Sequence, residues 1–172
     1  MIYKVNRKQY NADDCFVCGI KNESGLGMHF YELEQDILLG VTKPKEAHQS
    51  YPKRMHGGIV TALLDEAIGR AINLEEKDTW GVTVNIEVSF KKPVPLDETI
   101  YVLGQTTKNR SRMFEGFGVI LGADKKTVLA EATAKYLKQN INNILEEVHP
   151  ESFNLIPDDV KEFELFYEFV RS

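Results

Sequence analysis

Asp65 and the glycines upstream of it are the residues with the most chemistry to offer. The stretch His56-Gly57-Gly58-Ile59-Val60-Thr61-Ala62-Leu63-Leu64-Asp65-Glu66-Ala67 sets two glycines before an aliphatic run, with a carboxylate about two turns further on. Backbone N–H groups at a helix start have no intrahelical partner and attract negative charge. An Asp among apolar neighbours costs several kcal/mol of desolvation unless it is paired or used. The segment therefore offers an oxyanion site and a candidate base or nucleophile.

Spacing separates these two offers. Asp65 is eight residues beyond Gly57, which at ~1.5 Å of rise per residue is roughly 12 Å along a helix. The side chain leans toward the N-terminus and recovers only part of that distance. A reacting carbonyl needs its oxyanion donor and its base each within about 3 Å. One helix can hardly serve one carbonyl with both groups. Two antiparallel copies would bring Gly57 of one chain to Asp65 of the other, so a symmetric homodimer with two composite sites is expected, with further pairing into a homotetramer left open.

The elements that must position these groups are legible from periodicity. A helix is predicted from about Gly58 to Leu74, with Val60, Leu63, Leu64, Ala67, Ile68, Ala71 and Ile72 on one broad face. Asp65 falls on the border of that face, between Thr61 and Gly69. Glu66 and Arg70 form an i,i+4 pair, which gives Glu66 a structural explanation. Strands are expected at Gly25–Leu33 and Ile37–Thr42 before the helix. Four more follow it as an antiparallel meander: Thr79–Lys91, Thr99–Thr107, Arg112–Leu121 and Thr127–Leu137. In the first of these, Val82, Val84, Ile86, Val88 and Phe90 read as one apolar face. The region before Asn22 reads as loop with a short helix. The fold class is α+β, an antiparallel sheet wrapped around a long central helix.

The chain of 172 residues divides into a body over residues 1–139 and an acidic extension over 140–172. That extension carries eight Asp/Glu against Lys161 and Arg171, a net of −6, so the total of −5 leaves the body near +1. Pro157-Asp158-Asp159 reads as a helix start. Val160, Phe163, Phe166, Tyr167 and Val170 then follow helical spacing, predicting a C-terminal helix docked by its aromatic face. A pI near 5.4 gives no support to nucleic-acid binding. No apolar run approaches the roughly 18–20 residues of a membrane span. The N-terminus lacks the apolar core of a secretory signal, so a cytoplasmic location is expected. Cys15 and Cys18 form a single C-x-x-C, for which a structural role, a metal shared between subunits and redox sensitivity all stay open.

The pattern resembles the hotdog-fold acyl-CoA thioesterases, in the branch of the phenylacetate-pathway and 4-hydroxybenzoyl-CoA enzymes. The matching residues are His56-Gly57-Gly58 with Asp65 nine after the His, Gly81-Val82-Thr83-Val84, and Phe90-Lys91-Lys92-Pro93-Val94. Cys15-Phe16-Val17-Cys18-Gly19 with Asn22 and Gly25-Leu26 resembles an N-terminal motif of a subset of that family. The resemblance implies hydrolysis of an acyl-CoA thioester without a metal or separate cofactor, coenzyme A being part of the substrate. Gly57 N–H, with Gly58 beside it, would hold the carbonyl oxygen. Asp65 of the facing chain would activate water or attack directly, and Thr83 would help place the water. His56 would fix the loop, assist the thioester, or simply cap the helix. Family members often carry Asn or Gln six residues before His-Gly-Gly; Ser50 stands there, with Gln49 adjacent.

Phosphates on coenzyme A call for basic groups at the site mouth. Lys53, Arg54, Lys91, Lys92, Arg110 and Arg112 are candidates, with Arg110 and Arg112 sharing one face of a strand start. The alternatives are a non-catalytic acyl-CoA binder on the same fold, and a hotdog hydratase or dehydratase.

Overall fold

A computed structural model of the protein describes residues 1–141 and 152–169. In chain order the strands and helix are β1 (Ile2–Lys8), β2 (Asn11–Ala12), β3 (His29–Leu33), β4 (Ile37–Thr42), α1 (Gly57–Ala71), β5 (Thr79–Phe90), β6 (Ile100–Asn109), β7 (Met113–Leu121), β8 (Val128–Asn140), β9 (Phe153–Asn154) and β10 (Glu162–Glu164). Eight strands form one sheet in the order β10-β1-β3-β4-β6-β7-β8-β5, antiparallel at every junction, and β2 pairs separately with β9. Among the described residues no helix is long and apolar enough to cross a membrane.

The sheet curls around α1, whose Val60, Leu63, Leu64, Ala67, Ile68 and Ala71 are buried as the periodicity predicts. Glycines in the sheet let the helix come close. A Cβ on Gly104 would stand 2.4 Å from the carbonyl oxygen of Ala67, and one on Gly116 2.4 Å from Ile68. A short 3-10 turn over Ile72–Leu74 continues α1 to the expected end.

A second apolar layer covers the outer face of the sheet. Tyr31, Leu33, Ile37, Leu39, Leu103, Val119 and Leu121 meet Leu165, Phe163, Tyr167 and Phe169 there. This corrects the predicted C-terminal helix: described residues 153–169 contain no α-helix, and Glu162–Glu164 add a strand to β1. Phe163, Leu165, Tyr167 and Phe169 recur with period two, and all four pack into this layer, whereas Phe166 is exposed. A sheet edge and face in need of cover selected that alternation over the helical reading of the same segment. Val170 of the predicted helix lies outside the described residues.

Two other expectations change. The N-terminal region is strand and turn, because Tyr3 and Val5 alternate against the outer layer. Residues 25–28 precede β3 outside any strand, with Gly27 turned at a φ of 56° and the Leu26 and Met28 N–H groups donating to the Phe16 and Val17 carbonyls at 2.8 Å each.

Candidate active site

Asp65 sits half-buried on α1 beside a cavity of about 730 Å³, a size suited to a small-molecule ligand. Thr83, Tyr136, Glu66, Arg70 and Trp80 share its wall. The Thr83 hydroxyl lies 2.9 Å from Asp65 Oδ1 and 3.2 Å from Oδ2. The Tyr136 hydroxyl lies 3.1 Å from Oδ1 and 3.0 Å from the main-chain carbonyl of Asp65. Burial pushes the Asp65 carboxyl above the usual carboxylate range. The Thr83 and Tyr136 hydrogen bonds oppose that shift, and Glu66 adds to it.

A fault in the sheet brings Thr83 to this place. β5 and β8 keep register from Phe90↔Ala130 to Asn85↔Lys135, shift between Thr83 and Asn85, and resume at Thr83↔Tyr136. Directly opposed residues share a face, so Ile86, Val88 and Phe90 lie on the helix side with Ala134, Ala132 and Ala130, Phe90 at the margin over Gly57 and 57% exposed. Past the bulge it is Thr83 and Gly81 that turn inward. The unbroken apolar face expected from Val82 through Phe90 is thereby interrupted: Val82 and Val84 are 48% and 54% exposed. One extra residue exchanges a valine for a hydroxyl at Asp65.

Tyr136 is the functional-site residue that sequence reasoning missed. It is buried, stacked on Phe114 with ring centroids 4.7 Å apart, and seated against two glycines. A Cβ on Gly81 would stand 2.9 Å from the Tyr136 ring and 2.6 Å from Phe114, and one on Gly69 3.2 Å from Tyr136. Burial and the Asp65 carboxylate drive the Tyr136 hydroxyl well above its ordinary range, so it stays a donor. A tyrosine among the alanines of β8 was the available signal, since a buried Tyr O–H needs a partner.

The other predicted residues gather at the start of α1. His56 is the N-cap, its Nδ1 accepting from Gly58 N–H at 3.0 Å, so the capping alternative describes its contact here. Gly57 N–H is the first orphan donor of the helix. Gln49 and Ser50 belong to the turn beside it. Gln49 pairs with Met55, Ser50 N–H donates to the Arg54 carbonyl at 2.9 Å, and Gln49 Oε1 accepts from Lys53 N–H at 2.8 Å. Phe90 lies over Gly57, within 3.6 Å of where a Cβ would be. Glu66 bonds Arg70 at 2.7 Å as its spacing predicts.

The basic candidates divide. Lys91 is paired with Glu131 at 2.6 Å. Arg110 and Arg112 are exposed, but they occupy the β6–β7 turn and not a strand start. Pairing with β7, across a register shift between Thr106 and Lys108, extends β6 to Asn109, whose side chain donates to Glu75 and Glu76 just past the 3-10 turn. The described chain thus brings Asp65 together with Thr83, and His56, Gly57, Gly58, Gln49 and Ser50 together elsewhere. It does not bring the two groups together.

A long helix in the grip of a curled antiparallel sheet is the hotdog fold, and a solved structure described as a thioesterase superfamily protein matches it with a TM-score of 0.66. That match has 23% identity and covers 72% of this chain and 60% of the other. Residues 53–129, from the turn before α1 into β8, match the model of the Thioesterase superfamily. The chain is 29% identical over 119 residues to acyl-coenzyme A thioesterase THEM4 of Mus musculus, covering 67% of this chain and 50% of that relative. It therefore spans about half the length of this curated relative. The Streptococcus mutans UA159 protein smu.793, solved bound to acetyl CoA, matches with a TM-score of 0.58 and 17% identity over 66% of this chain and 89% of that one.

Proposed function

We propose that the protein is a thioester hydrolase that cleaves acyl-CoA to the free acid and coenzyme A, with Asp65 as its base or nucleophile. The observation that carries this reading is the setting of Asp65: a half-buried carboxylate on a cavity wall, bonded by two neutral hydroxyls and, among the described residues, by no cation. Raised basicity in a carboxylate that is held but not neutralised is what activation of water requires. Thr83 and Tyr136 both reach Oδ1, which leaves Oδ2 with the longer bond and the freer lone pair to receive the water proton. The carbonyl oxygen would take the Gly57 N–H at the positive end of α1. Gln49, its Oε1 anchored to Lys53 N–H, would offer its NH2 as a further donor to that oxygen. The thioesterase kinship of residues 53–129 and the acetyl CoA bound by a protein of the same fold support coenzyme A as the carrier.

The site requires a second copy, because Gly57 at the start of α1 and Asp65 in its middle lie roughly 12 Å apart along one helix. β5 is the free edge of the large sheet, twelve residues long, with Val82, Val84 and Leu137 exposed beside it. A long apolar edge strand invites pairing. Antiparallel pairing of two β5 strands would join the sheets and set the two helices side by side. Light scattering reads whether such dimers pair further into a tetramer.

The test is thiol release, measured with a chromogenic thiol reagent over short, long and aromatic acyl-CoAs. The wild-type chain is expected to hydrolyse at least one class. Asp65→Asn is expected to lose about 10²–10⁴-fold in kcat while keeping its oligomeric state. Tight acyl-CoA binding without thiol release would instead favour the non-catalytic binder, and hydration of crotonyl-CoA the hydratase class.

A further inference from the structure

The C-x-x-C segment takes no part in the reaction proposed above, yet it is built with more care than a surface turn needs. Cys15-Phe16-Val17-Cys18 makes one helical turn, closed by Gly19 N–H donating to the Cys15 carbonyl at 2.7 Å. A Cβ on Gly19 would fall 2.2 Å from that same oxygen, so the turn admits only glycine there. Asn11 Nδ2 donates to the Cys18 carbonyl at 2.7 Å, and Cys18 N–H points to Cys15 Sγ at 3.4 Å. The two sulfurs and a Glu66 carboxylate oxygen all lie within 4.8 Å of one another. Arg70 Nη2 stands 3.1 Å from Cys18 Sγ, while its Nε holds Glu66 and its plane covers Phe30. Cys15 is partly exposed and Cys18 is buried.

Such an arrangement fits a dithiol better than a metal site. Zinc needs four ligands, and the described residues place only these three together. The third, Glu66, is already bonded to Arg70, whose cation stands where it would repel a metal ion. The same cation, 3.1 Å from Cys18 Sγ, eases charge on that sulfur, but burial and the hydrogen bond Cys18 gives to Cys15 outweigh it. The hydrogen bond from Cys18 draws the Cys15 thiol down to about 6, helped by the turn N–H groups, whereas Cys18 is pushed up. The exposed sulfur is thus the ionised one and the buried sulfur keeps its proton.

We propose that Cys15 and Cys18 form a site of reversible oxidation by hydroperoxides, with Cys15 as the attacking thiolate and Cys18 as the resolving thiol. The Cys15 thiolate attacks the terminal oxygen of the peroxide O–O bond, giving Cys15 sulfenic acid and releasing hydroxide or alkoxide. The Cys18 sulfur then attacks the Cys15 sulfur, its proton leaves with the displaced hydroxyl as water, and the disulfide closes. Two electrons pass from the sulfurs to the peroxide. Sulfurs three residues apart in one turn are within reach of that bond after a small side-chain rotation. Closure consumes the Cys15 thiolate and turns the Cys18 sulfur that touches Arg70 into half of a disulfide, and Arg70 lines the cavity next to Asp65.

The test uses the full chain, in which these are the only two cysteines. Reduced protein is treated with hydrogen peroxide, the remaining thiols are alkylated, and intact and peptide masses are read. The wild-type chain is expected to lose two hydrogens, become refractory to alkylation, and regain both thiols with dithiothreitol. Cys18→Ser is expected to stop at a Cys15 sulfenic acid trapped by dimedone, and Cys15→Ser to give neither product. Three results would overturn the proposal. One is two alkylatable thiols persisting at peroxide levels that oxidise free cysteine. Another is dimedone labelling of Cys18 in Cys15→Ser at the wild-type rate of thiol loss. The third is stoichiometric zinc in the purified protein that Cys15→Ser abolishes.

Discussion

Asp65 and Glu66 are adjacent carboxylates on one helix, both on the wall of one cavity, and their surroundings part them. Glu66 faces Arg70, a cation 2.7 Å away that is itself tied to the Tyr10 carbonyl and stacked on Phe30. Asp65 faces two neutral hydroxyls, Thr83 and Tyr136. A carboxylate matched by a cation is a structural brace. One that is partly buried and supported only by neutral donors keeps a basicity above the ordinary, and pays for it in stability. Neighbour type, not residue type, separates a brace from a candidate base.

The sharpest way to break this contrast is to strip Asp65 of its donors. Thr83→Val and Tyr136→Phe each remove a hydrogen bond of about 1 kcal/mol. Together they are expected to lower kcat by about 10–100-fold. Because both bonds favour the ionised carboxylate, each single change is also expected to move the acid limb of the kcat/KM profile to higher pH. Next in size, Gly81→Ala should push Phe114 and Tyr136 out of their stack, costing about 1–3 kcal/mol of stability by overpacking. Thermal unfolding measures that cost, and a raised acid limb would show that Tyr136 had moved. Smallest of all, Glu66→Gln is expected to cost about 1 kcal/mol or less in stability and to leave kcat near wild type.

The sequence made the helix, its buried face, the Glu66–Arg70 pair and four meander strands legible, because each rests on local periodicity. Asp65 was legible as a polar group on an apolar border. The bulge between Thr83 and Asn85 was not, since it depends on how β8 fits β5 and leaves no local mark among valines. Thr83 was singled out by family resemblance, and only the bulge explains how it reaches Asp65. The tail was misread for a related reason. Its aromatics satisfy both a helical and an alternating pattern, and the choice lay with a sheet face distant in sequence. Tyr136 became recognisable only once Gly69, Gly81 and Phe114 had formed its seat.

The central claim is that Asp65, and not its neighbour, carries the chemistry, and the most direct measurement sets Asp65→Asn beside Glu66→Gln in one assay of acyl-CoA hydrolysis. Thermal unfolding of the same preparations guards against loss of fold. A carboxyl whose range is raised by folding favours the native state only at low pH and loses that contribution as pH rises through its folded value. Asp65→Asn should therefore be at least as stable as wild type at neutral pH, with any advantage shrinking toward acid. The account predicts a stable, assembled Asp65→Asn protein with hydrolysis reduced about 10²–10⁴-fold, beside a Glu66→Gln protein that turns over near the wild-type rate. Near-wild-type turnover by Asp65→Asn, or a collapse of turnover in a folded Glu66→Gln protein, would contradict it.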